Sequence, residues 1–243
     1  MRIGVVGARG RMGSEACRAI EADTDLVLAA RVGRGDALDD LVDAETDVAV
    51  DFTTPAAVKD NVAFYLGHDI HAVVGTSGLR RDDLADIGRW ARASRANAFV
   101  APNFAIGAVL MMRLAAWAAP YFARAEIVER HHDRKLDAPS STAIRTAELM
   151  EQARAGPWAP PPEATESLVG SRGGTAGAVR IHSLRLPGSV AHQEVVLGGP
   201  GETLTIRHDS ADRTSFMPGV LLAIKGVAAS DDLTVGLEHL LEL

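Results

Sequence analysis

The sequence predicts an α/β chain whose N-terminal domain is a parallel sheet and whose second domain is α+β. Three observations carry this. Short apolar runs alternate with helical patterns through residues 3–101. A glycine-punctuated turn, Gly7 to Gly13, separates the first run from the first helix. After about residue 104 the pattern changes, and longer strand-like runs follow one another across tight turns. Strands separated by helices build parallel sheets from right-handed crossovers, whereas strands joined by turns build antiparallel or mixed ones.

Residues 3–6 are apolar and end in glycine, as a buried strand does. Ser14 to Ala22 reads as a helix and Leu26 to Ala30 as a second strand. Val48 to Val50 is a third, stopped by Asp51-Phe52-Thr53-Thr54-Pro55. Ala56 to Leu66 is helical, with Val58, Val62 and Leu66 on one face. His71 to Val74 is a strand ended by Gly75-Thr76-Ser77-Gly78, Leu84 to Ala93 a helix, and Ala98 to Ala101 a strand before Pro102-Asn103. Phe104 to Phe122 reads as one long apolar helix, and Glu126 to Glu129 alternates as a strand. Ser141 to Glu151 is a helix with Ser140 and Thr142 near its start, where hydroxyls cap. Ala155 to Pro162 is too rich in proline for helix interior, and Gly170 to Gly177 is a flexible or tightly turned loop. Strands at Val179–Leu186, Ala191–Leu197 and Leu204–His208 precede a tail, from Pro218, that returns to helix.

Whole-chain properties exclude several classes. A net charge of -7 over 243 residues disfavours approach to phosphate backbones, so no nucleic-acid partner is expected. The longest apolar run, Phe104 to Met112, is far short of the about 20 residues a membrane span needs. No signal-peptide stretch follows Met1, and a single cysteine, Cys17, allows no intrachain disulfide, so a cytoplasmic location is expected. Cys17 sits among Ala16, Ala19 and Ile20 and reads as a core thiol.

The turn Gly7-Ala8-Arg9-Gly10-Arg11-Met12-Gly13 has the spacing Gly-x-x-Gly-x-x-Gly between a strand and a helix. Gly7 permits the tight turn, Gly10 lets backbone approach a pyrophosphate, and Gly13 lets helix and strand pack closely. The helix start offers N–H groups and a positive dipole end to phosphates. This is the dinucleotide-binding turn of a Rossmann-type domain. At the end of the second strand, where an acid selects NADH, the stretch Arg31-Val32-Gly33-Arg34-Gly35 holds no acid until Asp36. Arg9, Arg11, Arg31 and Arg34 are candidates to meet a 2′-phosphate, so NADPH is expected over NADH. Further strand-end loops, Asp51 to Thr54, Gly75 to Ser77 and Ala101 to Phe104, stand where open parallel sheets bind ligands.

The densest chemistry lies at Glu129-Arg130-His131-His132-Asp133-Arg134-Lys135-Leu136-Asp137-Ala138-Pro139-Ser140-Ser141-Thr142-Ala143. Histidine is the acid best matched to neutral pH, and Lys135 suits an anionic substrate or proton donation. Ser140, Ser141 and Thr142 with their N–H groups form a carboxylate pocket at a helix start. Adjacent histidines on a strand point to opposite faces, so His131 and His132 do not suit one metal ion. No Gly-x-Ser-x-Gly elbow supports a serine hydrolase. A surface charge cluster and a site both account for these residues at this level.

The stretch 129–143 resembles the dihydrodipicolinate reductase signature Glu-x-His-His-x-x-Lys-x-Asp-Ala-Pro-Ser-Gly-Thr-Ala, departing only at Ser141, where the family carries glycine. The similarity also takes in residues 7–13, Asp51-Phe52-Thr53, 74–78, 101–104, and Gly201-Glu202 through His208, Arg213 and Phe216. The resemblance implies an NAD(P)H-dependent reductase of a cyclic dicarboxylate imine on the lysine and diaminopimelate route. It implies His131 as proton donor, His132 as a substrate contact, and Lys135 as second proton donor and carboxylate partner. Ser140, Ser141 and Thr142 would hold the other carboxylate. The cofactor would lie against Gly7, Ala8, Arg9, Gly10, Arg11, Met12, Gly75, Thr76, Ser77, Ala101, Pro102, Asn103 and Phe104, and no metal is implied. The resemblance further implies residues 1–104 and 214–243 as the dinucleotide-binding domain, 105–213 as the substrate-binding and oligomerisation domain, and a homotetramer. A related dehydrogenase of another small imine or amino acid, and a non-catalytic nucleotide sensor, are the competing readings. If position 141 requires positive φ, serine is strained there.

Overall fold

The computed structural model describes residues 1–160 and 165–241. In chain order the elements are β1 (Arg2–Val6), α1 (Arg11–Ala22), β2 (Val27–Val32), α2 (Asp39–Asp43), β3 (Val48–Asp51), α3 (Val58–Gly67), β4 (His71–Val74), α4 (Arg81–Ala93) and β5 (Ala98–Val100). Then come α5 (Ile106–Ala118), β6 (Arg124–His131), α6 (Ser141–Gln152), β7 (Gly174–Ala176), β8 (Val179–Arg185), β9 (Ala191–Gly199), β10 (Glu202–Ser210), α7 (Met217–Gly226) and β11 (Leu233–Val235). The described chain divides into two compact units, one of residues 1–106 with the tail from Arg213, the other of residues 107–212.

The first unit is a six-stranded sheet in the order β11-β5-β4-β3-β1-β2. All its pairings are parallel. The central strands are apolar except at their ends because both faces are covered: Val5, Val50, Val73 and Phe99 are fully buried. α1 lays Gly13, Ala16, Cys17 and Ile20 inward, and α3 lays Val58, Val62, Tyr65 and Leu66 inward. Register brings the strand ends level, with Val6 beside Val32 and Asp51, and Asp51 beside Val74. The loops after β1, β2, β3, β4 and β5 therefore leave from one edge of the sheet.

The second unit is a mixed five-stranded sheet in the order β10-β9-β6-β8-β7, with β6 and β8 parallel and the other pairs antiparallel. Its strands alternate. Ala125, Ile127 and Glu129 of β6 are buried, as are Val179 and Ile181 of β8 and Gln193, Val195 and Leu197 of β9. α6 covers this face with Ala143, Thr146, Ala147 and Met150, and Gln193 Nε2 donates to Thr146 Oγ1 at 2.8 Å.

Several elements differ from the sequence expectation. α1 begins at Arg11 rather than Ser14, because the glycine turn itself opens into the helix. The expected helix from Phe104 starts at Ile106 and passes at Ala118 into a 3₁₀ turn, Ala119–Tyr121, since Pro120 has no N–H to continue it. The glycine-rich loop contains β7, which pairs with β8. The tail is not all helix, because Leu233–Val235 adds β11 to the edge of the first sheet. Of the proline-rich segment, Pro161 and Pro162 lie outside the described residues, and Trp158 before them is buried under the Arg154 guanidinium at 4.0 Å.

Candidate functional site

In the first unit the glycine turn is shaped by contacts that leave no room for side chains. Gly7 has φ of +83°, and a Cβ there would lie 2.4 Å from the Phe52 carbonyl oxygen. A Cβ at Gly13 would lie 2.2 Å from the Gly7 carbonyl oxygen. α1 carries no side-chain cap and no acid in its first turn, so its leading N–H groups and positive dipole end are open to an anion. Ala8 is buried, Met12 half-buried, and Arg9, Gly10 and Arg11 are exposed.

The other strand-end loops are tied to the same edge. Asp51, fully buried, accepts from Thr53 N (3.0 Å) and Oγ1 (2.6 Å), Thr76 Oγ1 (2.8 Å), Asn61 Nδ2 (2.9 Å) and Tyr65 OH (2.8 Å). Burial, and then the Asp51 carboxylate, push the Tyr65 hydroxyl well above its ordinary pKa, so it remains a donor. Asp51 thereby fastens the loop after β3 to the loop after β4. Gly75 sits between the Phe52 and Phe104 rings, whose centroids are 6.1 Å apart; its Cβ would be 2.2 Å from Phe52 Cε1. Ser77 is exposed, Ala101 donates its N–H to Val74 O at 3.0 Å, Pro102 is exposed, and Asn103 Oδ1 accepts from Ala105 N at 2.9 Å.

Two of the candidate arginines are ion-paired. Arg31 is paired with Glu21 of α1. Arg9 Nη2 lies 2.9 Å from Asp36 Oδ2, and the same oxygen accepts from Gly33 N at 2.9 Å. Asp36 thus folds back over the end of β2, where sequence position alone left no acid. Arg11 and Arg34 are exposed nearby in the chain.

In the second unit one buried carboxylate, Glu129, joins several residues of the 129–143 stretch. Glu129 and His131 are alternate residues of β6 and face the same way. His131 Nδ1 is 2.5 Å from Glu129 Oε2. Arg185, which β8 sets opposite His131, grips Glu129 with two bonds of 2.9 Å. Ser140 N donates to Glu129 Oε1 at 3.2 Å, and Ser140 Oγ caps α6 by accepting from Ala143 N at 3.2 Å. Burial works to raise the Glu129 pKa, but hydrogen bonds from His131, Arg185 and Ser183 outweigh it and hold the carboxyl at about 2. Lys135 Nζ meets both oxygens of Asp137, and the Asp137 carbonyl accepts from Arg185 at 2.7 Å. His132 lies just past β6, half-buried, and its Nδ1 is a buried nitrogen with no hydrogen-bond partner. Ser141 is the first, exposed residue of α6 and Thr142 is half-buried beside it. Ser141 does not have positive φ, so serine meets no backbone strain there. Among the described residues no cluster of three or more His, Cys, Asp or Glu could hold a metal ion.

Sequence reasoning gave no role to Glu129, Arg185, Asp137 or Asp36. Glu129 was reachable, since it stands two residues before His131 on a strand. Arg185 was not, because only the β6–β8 register brings it there.

A parallel sheet with a glycine cradle at its carboxyl edge, in a chain whose second unit carries a histidine and a lysine near a hydroxyl-rich helix start, is the make-up of a nicotinamide-dependent oxidoreductase. The sequence matches the family described as "Dihydrodipicolinate reductase, N-terminus" over residues 1–104 and "Dihydrodipicolinate reductase, C-terminus" over residues 107–241. The chain belongs to the dihydrodipicolinate reductase family. It is 53% identical over 247 residues to a 4-hydroxy-tetrahydrodipicolinate reductase of Streptomyces coelicolor, covering 100% of this chain and 98% of that one. It is 51% identical over 245 residues to the enzyme of that name from Mycolicibacterium vanbaalenii, with both chains covered in full at 100%. A solved dipicolinate-bound dihydrodipicolinate reductase from Paenisporosarcina sp. TG-14 superposes with a TM-score of 0.89 at 37% identity, covering 99% of each chain. A solved NAD complex of GenD2, from gentamicin A biosynthesis, shares the fold alone, with a TM-score of 0.65 at 13% identity.

Proposed function

We infer that this chain is a 4-hydroxy-tetrahydrodipicolinate reductase that uses NADPH or NADH to make tetrahydrodipicolinate for lysine and diaminopimelate synthesis. The observation that carries this is the gathering of His131 and the Ser140 helix start on Glu129, with Lys135 linked to them through Asp137 and Arg185, in a chain whose other unit holds the glycine cradle. The residues of the first unit that bind the cofactor are Gly7 to Met12, Gly75 to Ser77 and Ala101 to Phe104. The bound cofactor would supply a hydride to the conjugated imine that remains once the substrate's hydroxyl has left as water, which leaves an enamine in the ring. Lys135 exchanges Asp137 for one substrate carboxylate. Ser140, Ser141 and Thr142 take the other through hydroxyls and the N–H groups that open α6. His132 contributes a ring nitrogen to the substrate. His131 delivers a proton to the enamine carbon left by reduction, its Nδ1 remaining with Glu129, and Lys135 serves as a second proton source.

NADPH is the preferred cofactor in this reading, with Arg9, Arg11 and Arg34 as the phosphate contacts. The enzyme works in the cytoplasm as a homotetramer built through the sheet of the second unit; among the described residues no helix is long and apolar enough to cross a membrane.

The test is oxidation of NADPH and of NADH with the imine generated in place from pyruvate and aspartate semialdehyde by a coupled synthase. Substrate-dependent oxidation supports the reading. Cofactor binding without turnover would overturn it. Light scattering after size exclusion checks the tetramer.

A further inference from the structure

We propose that Glu129 is a positioning residue of the reaction: it fixes the tautomer and orientation of His131 and ties them to the substrate-carboxylate loop. This rests on His131 being the proton donor, as above.

The geometry argues for more than packing. Glu129 is fully buried, and Arg185 alone would neutralise it through its two bonds of 2.9 Å. Burying such an ion pair gives little net stability, since both ions lose their hydration. The same pair also holds other groups of the site. Oε2 also takes His131 Nδ1 at 2.5 Å, and Oε1 takes the backbone N–H of Ser140 at 3.2 Å. Arg185 reaches on to the Asp137 carbonyl at 2.7 Å, which anchors the partner of Lys135. One carboxylate and its guanidinium thus hold the proposed acid, the proposed ammonium and the first residue of the anion pocket in one frame. Placing reacting groups in a fixed frame is where much of a positioning enzyme's rate arises.

The chemistry balances. With Nδ1 engaged by Glu129, Nε2 is the nitrogen that faces substrate. The imidazolium gives its Nε2 proton to the enamine carbon; the new C–H bond forms as Nε2–H breaks. The ring is left as the neutral Nδ1–H tautomer, already hydrogen-bonded to Glu129, and Nε2 is reprotonated from water. A histidine held through its second nitrogen by a carboxylate keeps one tautomer and one ring angle.

The first measurement leaves Glu129 unchanged: ¹⁵N imidazole shifts of the full-length protein, with the His131 signal assigned by its loss in His131→Ala and read where the ring is neutral. Nδ1–H is expected; an Nε2–H tautomer overturns the proposal. The second is a double-mutant cycle. His131→Ala should lower kcat about 100- to 10,000-fold with cofactor affinity unchanged. Glu129→Gln should lower kcat about 10- to 100-fold, and in the His131→Ala background should lower it less than about twofold, because the group it positions is gone. Equal losses in both backgrounds would make Glu129 merely structural. Full activity in His131→Ala would instead sink the proton-donor reading itself. If Glu129→Gln does not fold, the tautomer decides.

Discussion

Lys135 Nζ lies 2.8 and 2.7 Å from the two carboxylate oxygens of Asp137, two residues along the same turn. The lysine holds the Asp137 carboxyl below its ordinary pKa, so the carboxylate is ionised at neutral pH. Asp137 is largely exposed, and an exposed pair is worth at most about 1 kcal/mol. A substrate carboxylate therefore meets a weak competitor. Asp137→Asn should lower the substrate KM by up to about fivefold with kcat little changed, by steady-state kinetics. A raised KM would mean that Asp137 aims Lys135 rather than occupying it.

Arg9 and Asp36 are ion-paired, and in the proposed reading NADPH would take Arg9 from that pair. Arg9→Ala should weaken NADPH binding about tenfold while leaving NADH nearly unchanged, since a charge-assisted bond to phosphate is lost. Asp36→Ala should do the reverse, freeing Arg9 and removing the acid placed for a ribose diol. Fluorescence titration with both nucleotides measures each. Equal changes for the two cofactors would place this pair away from the adenosine ribose.

Gly75→Ala should damage the first unit more than its size suggests. The added methyl would fall 2.2 Å from Phe52 Cε1 and 2.8 Å from Phe104 Cε2, both in a packed edge-on pair. Overpacking of this kind destabilises by about 1–3 kcal/mol. Calorimetry should show a lowered Tm, and titration a weaker nucleotide affinity. An unchanged Tm would mean that the Phe52 ring moves aside freely.

Acid should find Glu129. Its pKa is depressed from an ordinary 4.5 to about 2. A depressed carboxyl contributes stability that is complete above the ordinary value and is lost as pH falls from 4.5 toward 2. The Tm gap between the wild type and Glu129→Gln should therefore narrow steadily through that window in a pH-series of melts. A gap independent of pH would show that the carboxylate charge contributes nothing.

The sheet of the first unit was readable because its strands are short apolar runs stopped by glycine or proline, and because Gly7, Gly10 and Gly13 sit where one strand becomes one helix. The family, and with it the reaction, was readable from residues 129–143. What escaped depends on contacts distant in sequence. α2 and β11 have five and three residues, too few for periodicity to register. β7 forms from glycine, threonine and alanine only because β8 lies alongside. Asp36 looked too late in its loop to mark the end of β2 until the chain turned back to Gly33. Arg185 is 56 residues from Glu129, and nothing in either stretch advertises the pairing.

β11 has a consequence for how the molecule is made. It closes the first sheet beside β5, and Asn97 Nδ2 holds its approach by bonding the carbonyls of Val227, Ala228 and Ser230. The second unit is one unbroken stretch, 107–212, and is synthesised in full before β11. Until the tail is made, the first sheet has an open edge at β5. A chain cut after residue 212 would keep every strand of the second sheet and lack the strand that covers β5.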